Sequence, residues 1–454
     1  MNRLRSCLSS SLLLLLSFAA ALPSTLRAAE RELILASPHW EGVQYECEHA
    51  FKKYYKEKTG NDVRVRWRDQ GGGGSQIEKA IDAAYVATPD SCGMDILFGG
   101  GYDPFDRQKA KGHLQAFKLP DDILNRIPRD VLGFHMVDPD YMFYGAALAS
   151  FGILENVRVV DKLHLPTIDT WEGLGDPRLF GWVSSGDPRK SGSVHMIYEI
   201  ILQAYGWEKG WSTLIRMGAN VRAFLQSSSA PTKEVAAGDV AYAVTIDVNG
   251  MVQQAFQGKN NVRFFVPEGI SIINPDSIAI LKGAPNLDVA QEFVTFILSP
   301  RGQSLWMKPL GSPDGPVKYG ISRMSVLPEF YQGDLSQLYV PLDPFKLKQP
   351  FQYQSKLASS RWAVVDDMIG QGIIDVQTSL RAAWKAIIAL PEEQRADLIT
   401  RFGQPLITEA QATEYGAFWR KDKVRSGTIR NQWMADAVRR YSALEQEAKA
   451  RLKN

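Results

Sequence analysis

Residues 32–98 alternate between two hydrophobic periods, and that alternation constrains the fold more than any other feature of the chain. Residues 32–36 read as a strand, and residues 42–58 then place Ala50, Phe51, Tyr54 and Tyr55 on one helical face. Thr59, Gly60 and Asn61 stop that helix. Val63, Val65 and Trp67 alternate as a second strand. In the following GGGGSQIEKAIDAAYVA, Ser75 and Glu78 have the spacing of a capping box for a second helix. Residues 95–98 read as a third strand ending in Gly99, Gly100 and Gly101. Such an order implies a parallel sheet with right-handed crossovers, whose ligands lie beyond the carboxyl ends of the strands. Here those ends are Ser37, the 71–75 turn and the 99–103 turn. Neither glycine run is a dinucleotide fingerprint, because Gln76 and Pro104 stand where a third glycine belongs, and no P-loop lysine follows. What remains is a row of backbone N–H groups able to form an anion-binding nest.

A second α/β region opens near Trp171 and closes near residues 263–267. It carries two serine-rich turns, each feeding a helix: Ser191, Gly192 and Ser193, then Ser227, Ser228 and Ser229. A helix N-terminus has unpaired N–H groups and a partial positive charge, so hydroxyl-rich turns there suit an anion. Serine at these positions also serves as an ordinary cap. From Asp276 the chain returns to strand, turn and a long amphipathic helix, so one lobe holds a second lobe inserted within it, with two crossings that make a hinge. The expected organisation is a first lobe over 30–145, a second over 146–267, a return with helical completion over 268–390, and a helical extension over 391–454.

The N-terminus indicates export. Arg3 and Arg5 precede an apolar run over 12–21 too short to span a membrane, followed by small residues suited to cleavage, so residues 1–29 read as a signal peptide. Arg3, Arg5 and Arg27 leave with it, and basic residues fall from 52 to 49 against 50 acids. A charge this close to neutral argues against nucleic acid or an anionic membrane as partner. Cys47 and Cys92 remain in a compartment that permits disulfides, with two readings open: one bridge, or two separate buried thiols. Two cysteines without suitably spaced histidines give no zinc site, and no metal or cofactor is expected.

The chain resembles the extracellular solute-binding proteins of bacterial ATP-binding-cassette importers, within the two-lobed group of ferric-iron, polyamine and phosphosugar binders. The resemblance rests on Lys58-Thr59-Gly60, the Gly73-Gly74-Ser75 turn, DILFGGGYDPF at 95–105 and DPRKSGS at 187–193. It extends through SSSAPTKEVAAGDVAYAV at 227–244 and LSPRGQSLW at 298–306, covering roughly 31–390. It implies an α/β, two-lobed periplasmic-binding-protein-like (type II) fold with a hinged interlobe cleft and a C-terminal helical extension. It also implies a periplasmic monomer that closes on a solute and delivers it to an inner-membrane permease. By the same resemblance the cleft is lined by Ser37, Trp40, Gly73, Gly74, Ser75, Gly100, Gly101, Tyr102, Asp103, Ser191, Gly192, Ser193, Ser227, Ser228, Ser229 and Asp247.

The departure is informative. Iron binders of the group hold Fe(III) on paired tyrosines near the second hinge, where this chain reads TIDVNG at 245–250. Serine and glycine turns at helix starts favour a phosphate- or carboxylate-bearing solute, with Asp247 either pairing with a hydroxyl or amine of that solute or capping its own turn. A ferric complex or a polyamine is the weaker alternative, and a sensory receptor in place of a permease would leave the same sequence. An exported hydrolase lacks support: there is no G-x-S-x-G elbow, no H-E-x-x-H, and none of the six histidines lies in a catalytic pattern.

Overall fold

The computed structural model describes residues 31–453 apart from 69–73, 132, 336, 337, 339, 341 and 347–351. The expected signal peptide therefore lies outside the described residues. The first lobe opens with β1 (Arg31–Ala36), α1 (Glu41–Thr59), β2 (Val63–Arg68), α2 (Gly74–Ala87), β3 (Ile96–Phe98) and α3 (Asp103–Ala110). β1 pairs in parallel with β2 on one side and β3 on the other, as the alternating pattern requires. α1 ends where Gly60 takes a left-handed φ of 74° and its N–H reaches back to the Lys56 carbonyl. Short β4 (Leu114–Gln115), α4 (Asp121–Leu124), β5 (Asp130–Val131) and β6 (Phe134–His135) lead to β7 (Tyr144–Asn156), buried along all thirteen residues.

β7 joins the two lobes. Its first part, to Ser150, pairs antiparallel with β12 (Ile273–Leu281), and its second part pairs with β10 (Tyr242–Ile246) and β11 (Val262–Phe265). Between these come α5 (Val157–Leu163), β8 (Val183–Gly186), α6 (Gly192–Tyr205), α7 (Trp207–Asn220), β9 (Val221–Leu225), α8 (Ala230–Ala237) and α9 (Asp247–Gln257). β8 runs parallel to both β9 and β10, so a second parallel unit forms the second lobe. The strand order β2-β1-β3-β12-β7-β10-β8-β9 is thus continuous through the two crossing strands.

β12 carries the chain back to the first lobe, where α10 (Leu287–Leu298) and α11 (Pro300–Met307) complete the core around Phe51, Phe293 and Trp306. Beyond α11, Ile321, Met324, Leu327 and Tyr331 still pack into the first lobe's core. From there α12 (Ser355–Ile369), α13 (Gln377–Ile388), α14 (Glu392–Phe402), α15 (Glu409–Gly416) and α16 (Lys423–Arg451) form a helical body. Its core is continuous with the second lobe's: Trp384 donates its indole N–H to Asn220 of α7 at 2.8 Å, and Trp207 of α7 donates to the Ile407 carbonyl at 2.8 Å. Long as it is, α16 buries a single stripe, with Trp433, Ala437, Tyr441, Leu444 and Ala448 at helical spacing. Among the described residues no helix is long and apolar enough to cross a membrane.

Candidate solute-binding cleft

In the first lobe the strand ends converge as the βαβ order requires, but on an internal carboxylate. Gly99, Gly100 and Gly101 all have positive φ (89°, 106° and 89°), which turns successive backbone groups toward one point. The N–H groups of Gly100 and Gly101 donate to Asp276 Oδ1 of β12 at 2.7 and 3.0 Å. Asp276 Oδ2 is also paired with Arg323 and lies 2.9 Å from His39 Nε2. On its other side His39 Nδ1 lies 3.0 Å from Ser37 Oγ. Burial works to raise the Asp276 pKa, but Arg323, His39 and the turn N–H groups hold it well below the usual carboxylate range. Burial lowers that of His39. The anion-binding nest expected at Gly100 and Gly101 therefore exists, and the protein fills it itself.

Several other first-lobe residues also engage partners within the protein. Tyr102 donates its N–H to Asn274 Oδ1 at 3.2 Å, while its ring is buried edge-on against Phe134 and Phe143. Asp103 is fully buried and accepts from the Tyr353 hydroxyl at 3.2 Å, and burial pushes its pKa up to about 6. Ser75 is the second residue of α2 rather than its cap, and Glu78 pairs with Arg107 Nε and Nη2 at 2.9 and 2.7 Å, so no capping box forms. Gly74 does approach the glycine turn: a Cβ there would sit 3.8 Å from the Gly100 Cα. Gly73 lies outside the described residues. Trp40 packs edge-on against Tyr319 in an exposed aromatic group on the first lobe. Cys47 and Cys92 are separately buried free thiols, which removes the disulfide reading.

The second lobe is built differently. The carboxyl ends of β8, β9 and β10 deliver the N-termini of α6, α8 and α9 to one place. Gly186 ends β8, and a Cβ there would meet Val194 of α6 at 2.7 Å and the Ser227 carbonyl at 3.0 Å, so the two serine turns pack against each other through it. Ser191 caps α6, accepting from the Val194 N–H at 3.4 Å. Ser227 accepts from the Ala230 N–H at 3.1 Å and lies 3.2 Å from Ser229 Oγ. Ser228 accepts from Asn249 Nδ2 at 3.1 Å, which ties the turn to α9. Among the described residues the N–H groups of Gly192, Ser193, Ser228 and Ser229 have no protein acceptor, and a Cβ on Gly192 would meet nothing within 4 Å.

Asp247, at the start of α9, is a brace. Its Oδ2 accepts from the Ser150 N–H and hydroxyl at 2.6 and 3.0 Å, and its Oδ1 from the Val248 N–H at 2.7 Å. Ser150 is the residue at which β7 leaves β12, so this carboxyl is fixed to the crossing between lobes. Burial outweighs those donors and Arg323 and raises its pKa to about 6.

The sequence profile described as bacterial extracellular solute-binding protein matches residues 93–319, half of the chain. The chain belongs to that family. Members bind solutes rather than transform them. This solute-binding protein is 28% identical over 159 residues to the phosphoglycerate transport regulatory protein PgtC of Salmonella typhimurium, covering 35% of this chain. The match spans 39% of that relative's own length. It is 26% identical over 136 residues to the gamma-aminobutyric acid-binding protein of Pseudomonas aeruginosa, covering 30% of this chain and 36% of that one. The periplasmic binding protein AfuA of Actinobacillus pleuropneumoniae, solved with fructose-6-phosphate, superposes with a TM-score of 0.59 at 19% identity. That superposition covers 76% of this chain and all of that one, and so shows the two-lobed fold. The apo ferric ion-binding protein A of Pasteurella haemolytica gives 0.51 at 15% identity, over 65% of this chain and 85% of that one.

Sequence reasoning missed Asp276, Asn274, Arg323, Ser150 and Tyr353. The first two sit in the polar first half of β12, far in sequence from the turns they meet, and nothing local marks Arg323 or Tyr353. The one usable signal was the acid at 276 beside an apolar run over 278–281, since a buried acid needs a partner.

Proposed function

We propose that this protein is the periplasmic solute-binding component of an ATP-binding-cassette importer, taking up a small phosphate- or carboxylate-bearing solute by lobe closure and handing it to a membrane permease. One observation supports the reading: three helix N-termini meet in the second lobe, where among the described residues the N–H groups of Gly192, Ser193, Ser228 and Ser229 have no protein acceptor and Gly192 faces open space. Positive dipole ends and free donors are what an anion requires. The anionic group is assigned to the second lobe alone, because the matching donors of the first lobe are engaged by Asp276. Relatives named for phosphoglycerate and gamma-aminobutyric acid, and the AfuA structure with fructose-6-phosphate bound, are consistent with it. The absence of adjacent tyrosines at 245–250 speaks against bare ferric iron.

Thermal denaturation of the mature chain against phosphate- and carboxylate-bearing metabolites tests the reading. A solute at a hundred times its Kd stabilises by about 2.7 kcal/mol. Ser193→Glu or Ser228→Glu is expected to abolish that gain while the protein stays folded. A gain retained in both variants would sink the assignment.

A further inference from the structure

The chain passes between the lobes a third time, and within two adjacent residues it grips both. Tyr353 is buried in the first lobe, its hydroxyl on Asp103 Oδ2 at 3.2 Å and its ring 5.7 Å from Phe134. Gln354 holds the second lobe: its N–H donates to Gln203 Oε1 of α6 at 2.7 Å, and Gln203 Nε2 returns a bond to its carbonyl at 3.3 Å. α12 then continues along the seam between α3 and α6. The Trp362 ring stacks on His195 of α6, with centroids 3.5 Å apart and planes 16° from parallel. The same indole lies 4.8 Å from the guanidinium of Arg107 on α3, which is anchored to Glu78 of α2.

The two grips are unequal. On the second lobe α12 is fixed by His195 Nδ1 against Asp366 Oδ1 at 2.6 Å, and by Arg361 donating twice to Glu199, both residues fully buried. Trp384 on Asn220 adds to that attachment. Among the described residues the first lobe is held by fewer polar contacts, Tyr353 and Ser355 on Asp103 and Arg107 on Trp362. The seam also retains polar atoms with no partner among the described residues: Asp103 Oδ1, Arg107 Nη1, His195 Nε2 and Glu199 Oε2. Apolar side chains also meet across the seam, with Phe105 of α3 and Ala358 of α12 in one buried cluster. The seam's spare donors and acceptors can exchange their partners for water as it opens.

We propose that α12 and the Tyr353 that precedes it form a clasp across the interlobe seam, riding with the second lobe and holding the first at the angle seen here. Trp362 and Tyr353 are then positioning residues for solute capture. Trp362 also steadies α6 directly behind the Ser191–Ser193 turn, and Tyr353 fixes Asp103 behind the glycine turn. Lobe opening becomes an equilibrium between clasped and released states, which the clasp weights toward the former before any solute arrives. The inference rests on the two-lobed fold and holds whatever the solute is.

Spin labels at Val86→Cys on α2 and Phe256→Cys on α9 read the interlobe distance, since both positions are more than four-fifths exposed while Cys47 and Cys92 are buried. In the solute-free mature chain, pulsed electron resonance is expected to give one narrow distance distribution. Trp362→Ala is expected to add a second, longer population, and Tyr353→Phe, which removes a single hydroxyl, to broaden the distribution by less. If Trp362→Ala fails to fold by circular dichroism, Tyr353→Phe decides the question. A broad distribution in the unaltered protein, or a narrow one surviving in the folded variants, overturns the clasp. Because no solute is present, that result leaves the anion site untouched, and a failed solute screen leaves the clasp untouched.

Discussion

The glycine turn of the first lobe and the serine turns of the second occupy equivalent places, at the carboxyl ends of parallel strands, yet they have opposite chemistry. Gly100 and Gly101 point their N–H groups at a carboxylate the protein supplies itself, Asp276, neutralised by Arg323 and flanked by His39. Around Gly192, Ser193, Ser228 and Ser229 the donors have no such counterpart among the described residues. The first arrangement is a structural post that locks β3 to β12, and the second is where we propose the solute's anionic group binds. A nest of N–H groups therefore identifies an anion site only once it is known that no carboxylate from elsewhere in the chain has taken it.

The contrast can be broken most forcefully at Asp276. Asp276→Ala would leave Arg323 buried without its counter-charge and strip the acceptor from Gly100 and Gly101. Removing one partner of a buried pair costs about 3–5 kcal/mol, to be read from urea unfolding. A loss below about 1 kcal/mol would mean the post carries little. Next comes glycine replacement. Gly99→Ala forces a side chain onto a φ of 89° and places its Cβ 2.6 Å from the His39 ring. Such strain is worth roughly 1–3 kcal/mol, whereas Gly192→Ala, facing open space, is expected within about 0.5 kcal/mol of the unaltered protein. Equal losses at the two positions would erase the difference between the turns.

How much of this was legible in the sequence follows from where each partner lies. The β-α-β-α-β opening, Gly60 as the stop of α1 and the apolar run that became β7 were readable because each depends on neighbours within a few residues. The serine turns were readable for the same reason: Ser191 caps α6, and Ser227 accepts from the first N–H of α8. The supposed capping box failed because Glu78 answers to Arg107, a partner its own helix does not contain. Asp276 is 176 residues from Gly100, and Tyr353 is 250 from Asp103, so no local pattern could announce either contact.

A subtler effect separates the two carboxyls of the crossing strands. Asp276 is held ionised, whereas burial raises Asp247 to about 6, above the value of an unstructured aspartate. The stability Asp247 contributes is complete below about pH 4 and is lost as pH rises through its folded value. Between pH 5 and pH 7 the unaltered protein should lose about 1 kcal/mol relative to Asp247→Asn, measured by chemical denaturation at both values. A pH-independent gap would place Asp247 with Asp276 as a second ionised post.

The central claim is that the second lobe alone receives the solute's anionic group. The most direct measurement is a parallel thermal-shift titration of the unaltered mature chain, Ser193→Glu and Gly74→Ala with the phosphate- or carboxylate-bearing metabolite that gives the largest shift. The shift should persist in Gly74→Ala, whose added Cβ makes only ordinary contact with Gly100, and vanish in Ser193→Glu. A shift that survives in Ser193→Glu but is lost in Gly74→Ala would put the anion on the first lobe and contradict the account.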